Sequence, residues 1–441
     1  LAKTTAQPLQ APVDPQDPKV RERLNRAFLV GLQRPEQDAR EARSLLDELR
    51  ELVANLGVEI RGETLARLRE EHPRHLVGSG KMEEIAALAR GLDCGLVIFD
   101  DELSPAQQRN WEKDAPGLRV IDRQEVILDI FASRATTKEA VLQVELARLQ
   151  QQLPRLKRLW SHLDRQRGGG AMQRDAGETQ LEMDQRLIRD KIARVRRELE
   201  EVVRTRATQR KRRQRVPLPT FAIVGYTNAG KSSLLNRLTG SEVLAADRLF
   251  ATLDPTTRRL ALPSGRALLL TDTVGFVRRL PHRLVEAFKA TLEESVQADV
   301  LVHVVDAASP DRDAHAETTL AVLREVGAGD RPVLTVLNKR DLVPDALGLA
   351  EALARHPGSL AVSAVTGEGI PELLAELDRL AAKGDRRLRL LIPHDRYELV
   401  GRLHAAAGVI SEEATDEGVR LVALVPDRLR QAVEPFIEPA A

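Results

Sequence analysis

Apolar residues change their period several times along the chain, and each change marks a different element. Residues 27–30 (Ala-Phe-Leu-Val) and 94–99 (Cys-Gly-Leu-Val-Ile-Phe) are nearly unbroken apolar runs, as in buried strands. Residues 38–56 and 82–92 instead repeat apolar positions every three to four residues, as helices packed on one face do. Ser104-Pro105 has the composition of an N-cap and first turn leading to Trp111. The alternation predicts a small α/β domain over residues 20–134, preceded by a flexible Pro-rich and Gln-rich tail, residues 1–19.

A second regime follows. Leu142, Leu146, Leu149, Leu153, Leu156, Trp160 and Leu163 alternate spacings of four and three, the seam of a coiled coil. Leu181, Ile188, Ile192, Val195, Leu199 and Val202 form another. Gly168-Gly-Gly170 and a polar stretch to Thr179 separate them, so residues 135–215 are expected to fold back as an antiparallel hairpin and basic linker. Each arm would span about 40 Å at the rise of an α-helix. Pro154 should kink or interrupt the first arm.

Strand and helix signals then resume. Residues 220–224, 267–270 and 360–362 read as strands and 233–238 as a helix, within a domain of residues 216–382. Strand-like 388–392 and 419–425, a helix over 396–407 and a final helix predict a small α/β domain over residues 383–441. The fold class is α/β and multidomain.

Charge sharpens the picture of the hairpin. The 441 residues carry a net charge of only +1, yet residues 148–215 hold twenty Lys or Arg against nine Asp or Glu. That concentration suits a polyanion, although a spacer with a solvated basic face has the same composition. Arg165, Arg167 and Arg174 around the glycines fit phosphate contact or insertion among RNA bases.

The candidate chemistry centres on residues 225–233, Gly-Tyr-Thr-Asn-Ala-Gly-Lys-Ser-Ser, between a strand and a helix. In that context the amides of Gly225, Tyr226, Thr227, Asn228, Ala229, Gly230 and the helix start can cradle phosphates. Lys231 would neutralise the outer phosphates and Ser232, followed by Ser233, would ligate Mg²⁺. Asn338, Lys339, Arg340 and Asp341 are placed to read a base. The Asp341 carboxylate can accept from guanine N1 and N2, a donor pair that adenine lacks, so a buried acceptor there would select guanine. Ser363, Ala364 and Val365 would back the base.

Two segments complete the constellation. Asp272-Thr273-Val274-Gly275 follows an apolar strand, where the carboxylate can hold Mg²⁺ through water and the Gly275 amide can meet the terminal phosphate. Phe250, Ala251, Thr252, Leu253 and Asp254 lie between the motifs, and Thr252 would add a second hydroxyl to the metal. The expected ligands are GTP and GDP. No catalytic side chain can be assigned, because Phe276 stands where many GTPases carry a water-orienting glutamine. Hydrolysis should be slow until a partner, or a segment near Thr252 or Arg278, completes the site; alternatively Phe276 is a core anchor in a slow enzyme. Asn228 either lends oxygen to K⁺ beside the phosphates or is a polar turn residue.

Gly78-Ser-Gly80-Lys81 precedes a helix and reads as a structural turn, an RNA-backbone contact or a second nucleotide site, the last of which would suit an ATP-driven RNA remodeller. Cys94 is the single cysteine, which excludes an intramolecular disulfide and fits a cytoplasmic protein. No apolar run approaches a membrane span and no signal peptide is evident, so no membrane partner is expected.

Taken together, these motifs resemble the HflX family of ribosome-associated GTPases. The resemblance is carried by residues 77–85, 160–163 (Trp-Ser-His-Leu), 177–182 (Gly-Glu-Thr-Gln-Leu-Glu), 250–256, 275–282 and 287–294. It implies a monomer that binds the large (50S) ribosomal subunit and ribosomal RNA and splits stalled ribosomes under stress; a ribosome-assembly GTPase without splitting shares every motif. It also implies Ser232 and Thr252 at Mg²⁺ and a hydrophobic residue at 276. Asp175-Ala176 departs from the family's Gly-Pro before Gly177.

Overall fold

In the computed structural model the described residues are 22–159, 171–213, 218–240, 249–250, 252–279, 294–343, 345–383 and 385–438. They divide into two compact units, one drawn from residues 22–133 and 148–192 and the other from residues 134–147 and 193–438.

The first unit contains a parallel sheet in the order β2-β1-β3-β4, with β1 Arg26–Gln33, β2 Glu59–Arg67, β3 Leu96–Phe99 and β4 Arg119–Asp122. β1 and β3 are the apolar runs seen in the sequence, and helices cover both faces of such strands, as parallel sheets require. Helix α1 (Ala39–Asn55) starts where Asp38 accepts the amide of Glu41, and it buries Leu45, Leu46, Leu49, Leu52 and Val53. A cap of this kind stabilises a helix by about 1 kcal/mol. Helix α2 is Ser79–Gly91, so Ser79, Gly80 and Lys81 form its first turn, with Lys81 paired to Glu84 at 2.7 Å. Helix α3 (Pro105–Asp114) has a capping box between Ser104 and Gln107 and carries Trp111, whose indole donates to the His75 carbonyl at 2.8 Å. Helix α4 spans Arg123–Arg134, and the buried Arg123 pairs with Asp100 at 2.7 Å and with Glu48.

The hairpin helices are α5 (Lys138–Leu159) and α6 (Ala171–Arg213). Helix α5 continues through Pro154, so of the two outcomes expected there, a kink or an interruption, the interruption does not occur. One expectation changes. Helix α6 begins at Ala171, inside the segment expected to be a polar connector, and its 43 residues span about 65 Å. Met172, Gln173 and Gln180 are good helix formers, so local propensity carries the helix beyond its apolar seam. Leu142, Leu146, Leu149, Ile192 and Val195 are buried, as seam positions should be. The glycine tip at 168–170, Arg165, Arg167, and residues 160–163 lie outside the described residues.

The second unit is built on a six-stranded sheet in the order β10-β9-β8-β5-β7-β6. Its strands are β5 Thr220–Gly225, β6 Thr256–Ala261, β7 Ala267–Asp272, β8 Val300–Asp306, β9 Val333–Asn338 and β10 Leu360–Ala361. All neighbours are parallel except β6, which runs antiparallel to β7. Phe221, Ile223, Leu268, Leu270, Val302, Val304, Leu334 and Val336 fill the core around it. Helices α7 (Lys231–Thr239), α8 (Arg312–Glu325), α9 (Ala346–Arg355) and α10 (Ile370–Ala381) connect the strands. The carboxyl ends of β5, β7 and β9 therefore share one edge, where open α/β sheets place their ligands.

The chain ends in an antiparallel sheet, β11 (Arg386–Ile392), β13 (Gly418–Val425) and β12 (Gly408–Thr415), packed against α11 (Glu398–Ala406) and α12 (Asp427–Val433). A buried ion pair, Arg266 to Asp385 at 2.8 Å with both side chains 5% exposed, ties this module to the β6–β7 turn.

Candidate functional site

Strand β5 ends at Gly225, whose φ of +153° and approach to the Val304 carbonyl exclude a side chain. Residues 226–230 then turn into α7. Gly230 caps this helix in a left-handed conformation, φ +87°, and a β-carbon there would stand 2.2 Å from Asn338 Nδ2. Glycine is thus needed both for the backbone and for the space. The helix start borders a cavity of about 360 Å³, and the first-turn amides of a helix have no intrahelical partner to compete with a ligand. Thr227, Asn228, Gly230, Lys231, Ser232, Ser233, Phe250, Thr252, Thr273, Gly275, Asn338, Lys339, Asp341, Leu342, Ala364 and Val365 line it.

At one end of the cavity three oxygen-bearing side chains converge. Ser232 Oγ lies 2.6 Å from Asp272 Oδ2, Thr252 Oγ1 donates to the same oxygen at 2.9 Å, and the two hydroxyls are 2.8 Å apart. Asp272 is fully buried, and burial pushes its carboxyl above the usual range, against the pull of Lys231 and the two hydroxyls. Its Oδ1 has no hydrogen-bond partner. An all-oxygen set with an unsatisfied buried carboxylate oxygen fits Mg²⁺. Lys231 donates to the Tyr226 carbonyl at 2.7 Å, and burial pushes its ammonium down to about 8, with Asp272 opposing.

At the other end Asn338 is a buried brace. Its amide donates to the Ala229 carbonyl at 2.9 Å and its oxygen accepts the Ala364 amide at 3.1 Å, joining three segments distant in sequence. Lys339 pairs with Asp306 at 2.7 Å. Asp341, expected as a buried acceptor, is exposed on a 3-10 turn at the cavity, beside Leu342 and the exposed Val365. Ser363 does not line the cavity; its hydroxyl accepts the Thr366 amide at 3.0 Å and shapes the loop that presents Ala364 and Val365.

Several expected contacts have other partners. The Tyr226 ring stacks on His315, centroids 3.8 Å apart, and its hydroxyl accepts the Arg278 amide at 2.7 Å. Arg340 pairs with Glu368 at 2.8 Å. Leu253, Val274 and Ala229 are core residues. Asp254 points to Thr136 and Thr137. Ala251 lies outside the described residues. Phe276 is 1% exposed, and its backbone bridges to residue 226: its amide donates to the Gly225 carbonyl at 3.1 Å and its carbonyl accepts the Thr227 amide at 2.8 Å. The phenyl ring is therefore a core anchor. Asn228 has φ +60°, a turn conformation, and lines the cavity.

Sequence reasoning missed Leu342, the Tyr226–His315 stack, and the bond that fixes the hydroxyl of the expected Thr273 to the Ile223 carbonyl at 2.7 Å. The first was signalled only by an apolar residue directly after Asp341.

Three family models match the chain. Residues 43–132 match one described as the N-terminal part of a GTP-binding GTPase, residues 134–213 its middle region, and residues 220–339 a 50S ribosome-binding GTPase. The GTPase HflX of Akkermansia muciniphila is 51% identical over 427 residues, covering 94% of this chain and 98% of that one. The GTPase HflX of Escherichia coli K12 is 43% identical over 374 residues, covering 85% and 87%. A solved structure of a GTP-binding protein from Sulfolobus solfataricus in complex with GDP is 25% identical over 81% of this chain and 99% of that one, with a TM-score of 0.43.

Proposed function

The chain belongs to the HflX family of GTPases, and on that premise we propose that it holds GTP in the cavity above α7, hydrolyses it slowly when alone, and uses the cycle to bind the large ribosomal subunit and split stalled ribosomes. The observation that carries the nucleotide reading is the meeting of Ser232, Thr252 and Asp272, 20 and 40 residues apart, beside Lys231 at a helix N-terminus.

In this reading the amides of Asn228 and of residues 230–232 bind the phosphates and Lys231 neutralises their charge, while the Ala229 amide donates to the Tyr226 carbonyl at 3.3 Å. Ser232 and Thr252 would hold Mg²⁺ directly and Asp272 through water; bound there, the ion draws off negative charge from the outer phosphates. The Gly275 amide meets the terminal phosphate. Asn338 locks the base-reading turn to the phosphate loop, Asp341 accepts from the guanine edge, and Leu342, Ala364 and Val365 flank the base.

Among the described lining residues none is a glutamine, glutamate or histidine, and the side chain at 276 faces the core. Turnover alone is therefore slow, and a group supplied by the ribosome raises it; such completion is worth roughly 10³ to 10⁵. Asn228 remains a candidate for K⁺, and equal rates in K⁺ and Na⁺ remove it. The basic hairpin is the surface offered to ribosomal RNA. No helix among the described residues is long and apolar enough to cross a membrane, and we place the protein, as a monomer, in the cytoplasm.

The test is GTP turnover measured alone, with large subunits and with whole ribosomes, alongside subunit sedimentation. Ribosome stimulation with separation of subunits is expected. Stimulation without separation would favour a role in assembly, and brisk turnover in isolation would refute the mechanism.

A further inference from the structure

Two residues beyond Thr252, the chain leaves the phosphate site and takes hold of the hairpin. The half-buried Asp254 carboxylate accepts four hydrogen bonds from one place: Thr136 Oγ1 at 2.7 Å and its amide at 3.3 Å, and Thr137 Oγ1 at 2.5 Å and its amide at 3.2 Å. Thr137 is the N-cap of α5, since its hydroxyl accepts the Ala140 amide at 3.2 Å and its carbonyl the Val141 amide at 3.0 Å. Asp254 therefore supplies, from 117 positions away, the negative group that favours a helix N-terminus.

The intervening chain is short and stiff. Two residues reach at most about 7 Å. Leu253 is buried between the two attachments, and Pro255 restricts Asp254 to extended conformations. Directly afterwards Thr256 pairs with Asp272 as β6 joins β7. A shift of Thr252 thus has no slack in which to dissipate before it reaches Asp254.

We propose that Asp254 is the positioning residue that transmits the state of the phosphate site, felt by Thr252, to the root of the helical hairpin. When Thr252 is held on the phosphate side, Asp254 sits in register with both threonines and the first turn of α5 is fixed. When Thr252 departs, the carboxylate is drawn off and that turn loosens. The coupling is reciprocal: a load that displaces the hairpin root pulls on Thr252 and weakens the triphosphate state. This inference rests on the GTP reading above, and deepens it by naming the link.

Hydrogen exchange of the full chain, loaded with Mg²⁺ and either GDP or a non-hydrolysable GTP analogue, tests it through the amides of residues 136–147. In the wild type the triphosphate state should exchange more slowly there, by about tenfold or more. Asp254→Ala should abolish the difference. Thr136→Val, which removes one donor at a residue that does not line the nucleotide cavity, should shrink it and weaken analogue binding by a matching factor while GDP affinity stays at the wild-type value. A full difference surviving in both variants overturns the link. So does a wild type that binds both nucleotides yet shows no difference; a wild type that binds neither refutes the nucleotide reading itself.

Discussion

Gly275 lies against Lys231 so closely that a β-carbon built on it would stand 2.8 Å from the ammonium nitrogen and 2.8 Å from the Thr227 Cα. The two loops that border the cavity are in contact, and glycine is what permits it.

Gly275→Ala should therefore separate the loops. Backbone on one side and a buried ammonium on the other leave little room to yield, so affinity for a GTP analogue should fall tenfold or more, equivalent to about 1.4 kcal/mol. GDP, which has no terminal phosphate to meet Gly275, should lose less. Titration with fluorescent GTP and GDP analogues checks this, and equal losses for both would contradict the placement.

Lys231→Ala should have opposite effects on the empty and loaded protein. Burial holds the folded-state pKa near 8 against an ordinary 10.5, so the empty fold loses stability as pH falls from 10.5 through 8. At neutral pH this cost is at most about 3 kcal/mol, and the bond to Tyr226 offsets part of it. The variant's Tm without nucleotide should equal or exceed the wild-type value, while the Tm rise on adding Mg²⁺ and GTP disappears. Thermal unfolding with and without ligand reads both.

Asp341→Asn should change the base that is accepted. An amide offers one donor and one acceptor, which matches the carbonyl and N–H of xanthine and leaves the guanine amino group facing another donor. GTP affinity should drop by about tenfold to a hundredfold and XTP should overtake it, as competition binding would show. Preference for GTP retained by the variant would place base recognition elsewhere.

His303→Val should reduce acid sensitivity. This histidine sits in β8, 1% exposed, and neither ring nitrogen has a hydrogen-bond partner. Burial, aided by the charges of His356 and Lys231, pushes its pKa from 6.5 down to about 4. The unfolded chain thus binds the proton first, and the neutral ring's stability is present above pH 6.5 and lost as pH falls toward 4, by at most about 3 kcal/mol. Urea unfolding at pH 7.5 and pH 5 should show a smaller decline for the variant than for the wild type.

Much of the candidate site was legible because the residues that line its cavity belong to short local patterns. Gly230 and Lys231 are informative together, and the strand before them and the helix after them are plain in the apolar periodicity. Of the strands not named from the sequence, β2 and β12 lie at sheet edges, half-buried and largely exposed respectively, with Glu59, Arg61 and Glu63 in one and Glu412 and Glu413 in the other, so they lack an apolar signature; β4, β6, β8 and β9 were also passed over, although β8 and β9 are apolar runs. The start of α6 was hidden for a related reason: polar residues carried the helix past its seam. The partners of Asp254 and Tyr226 were invisible because tertiary contact alone assigns them, and a motif that names a residue says nothing about which way its side chain turns.

The backbone of Phe276 zips two loops together while its ring fills the interior, and this bears on how the enzyme could change. Installing glutamine at 276 would not recreate a water-holding group, because the amide would be planted in the dry interior and the loop would have to unzip before it could face solvent. Faster unassisted turnover by that route thus lies several coordinated substitutions away, and the proposed reliance on a partner would be guarded by architecture as well as by the chemistry of one side chain.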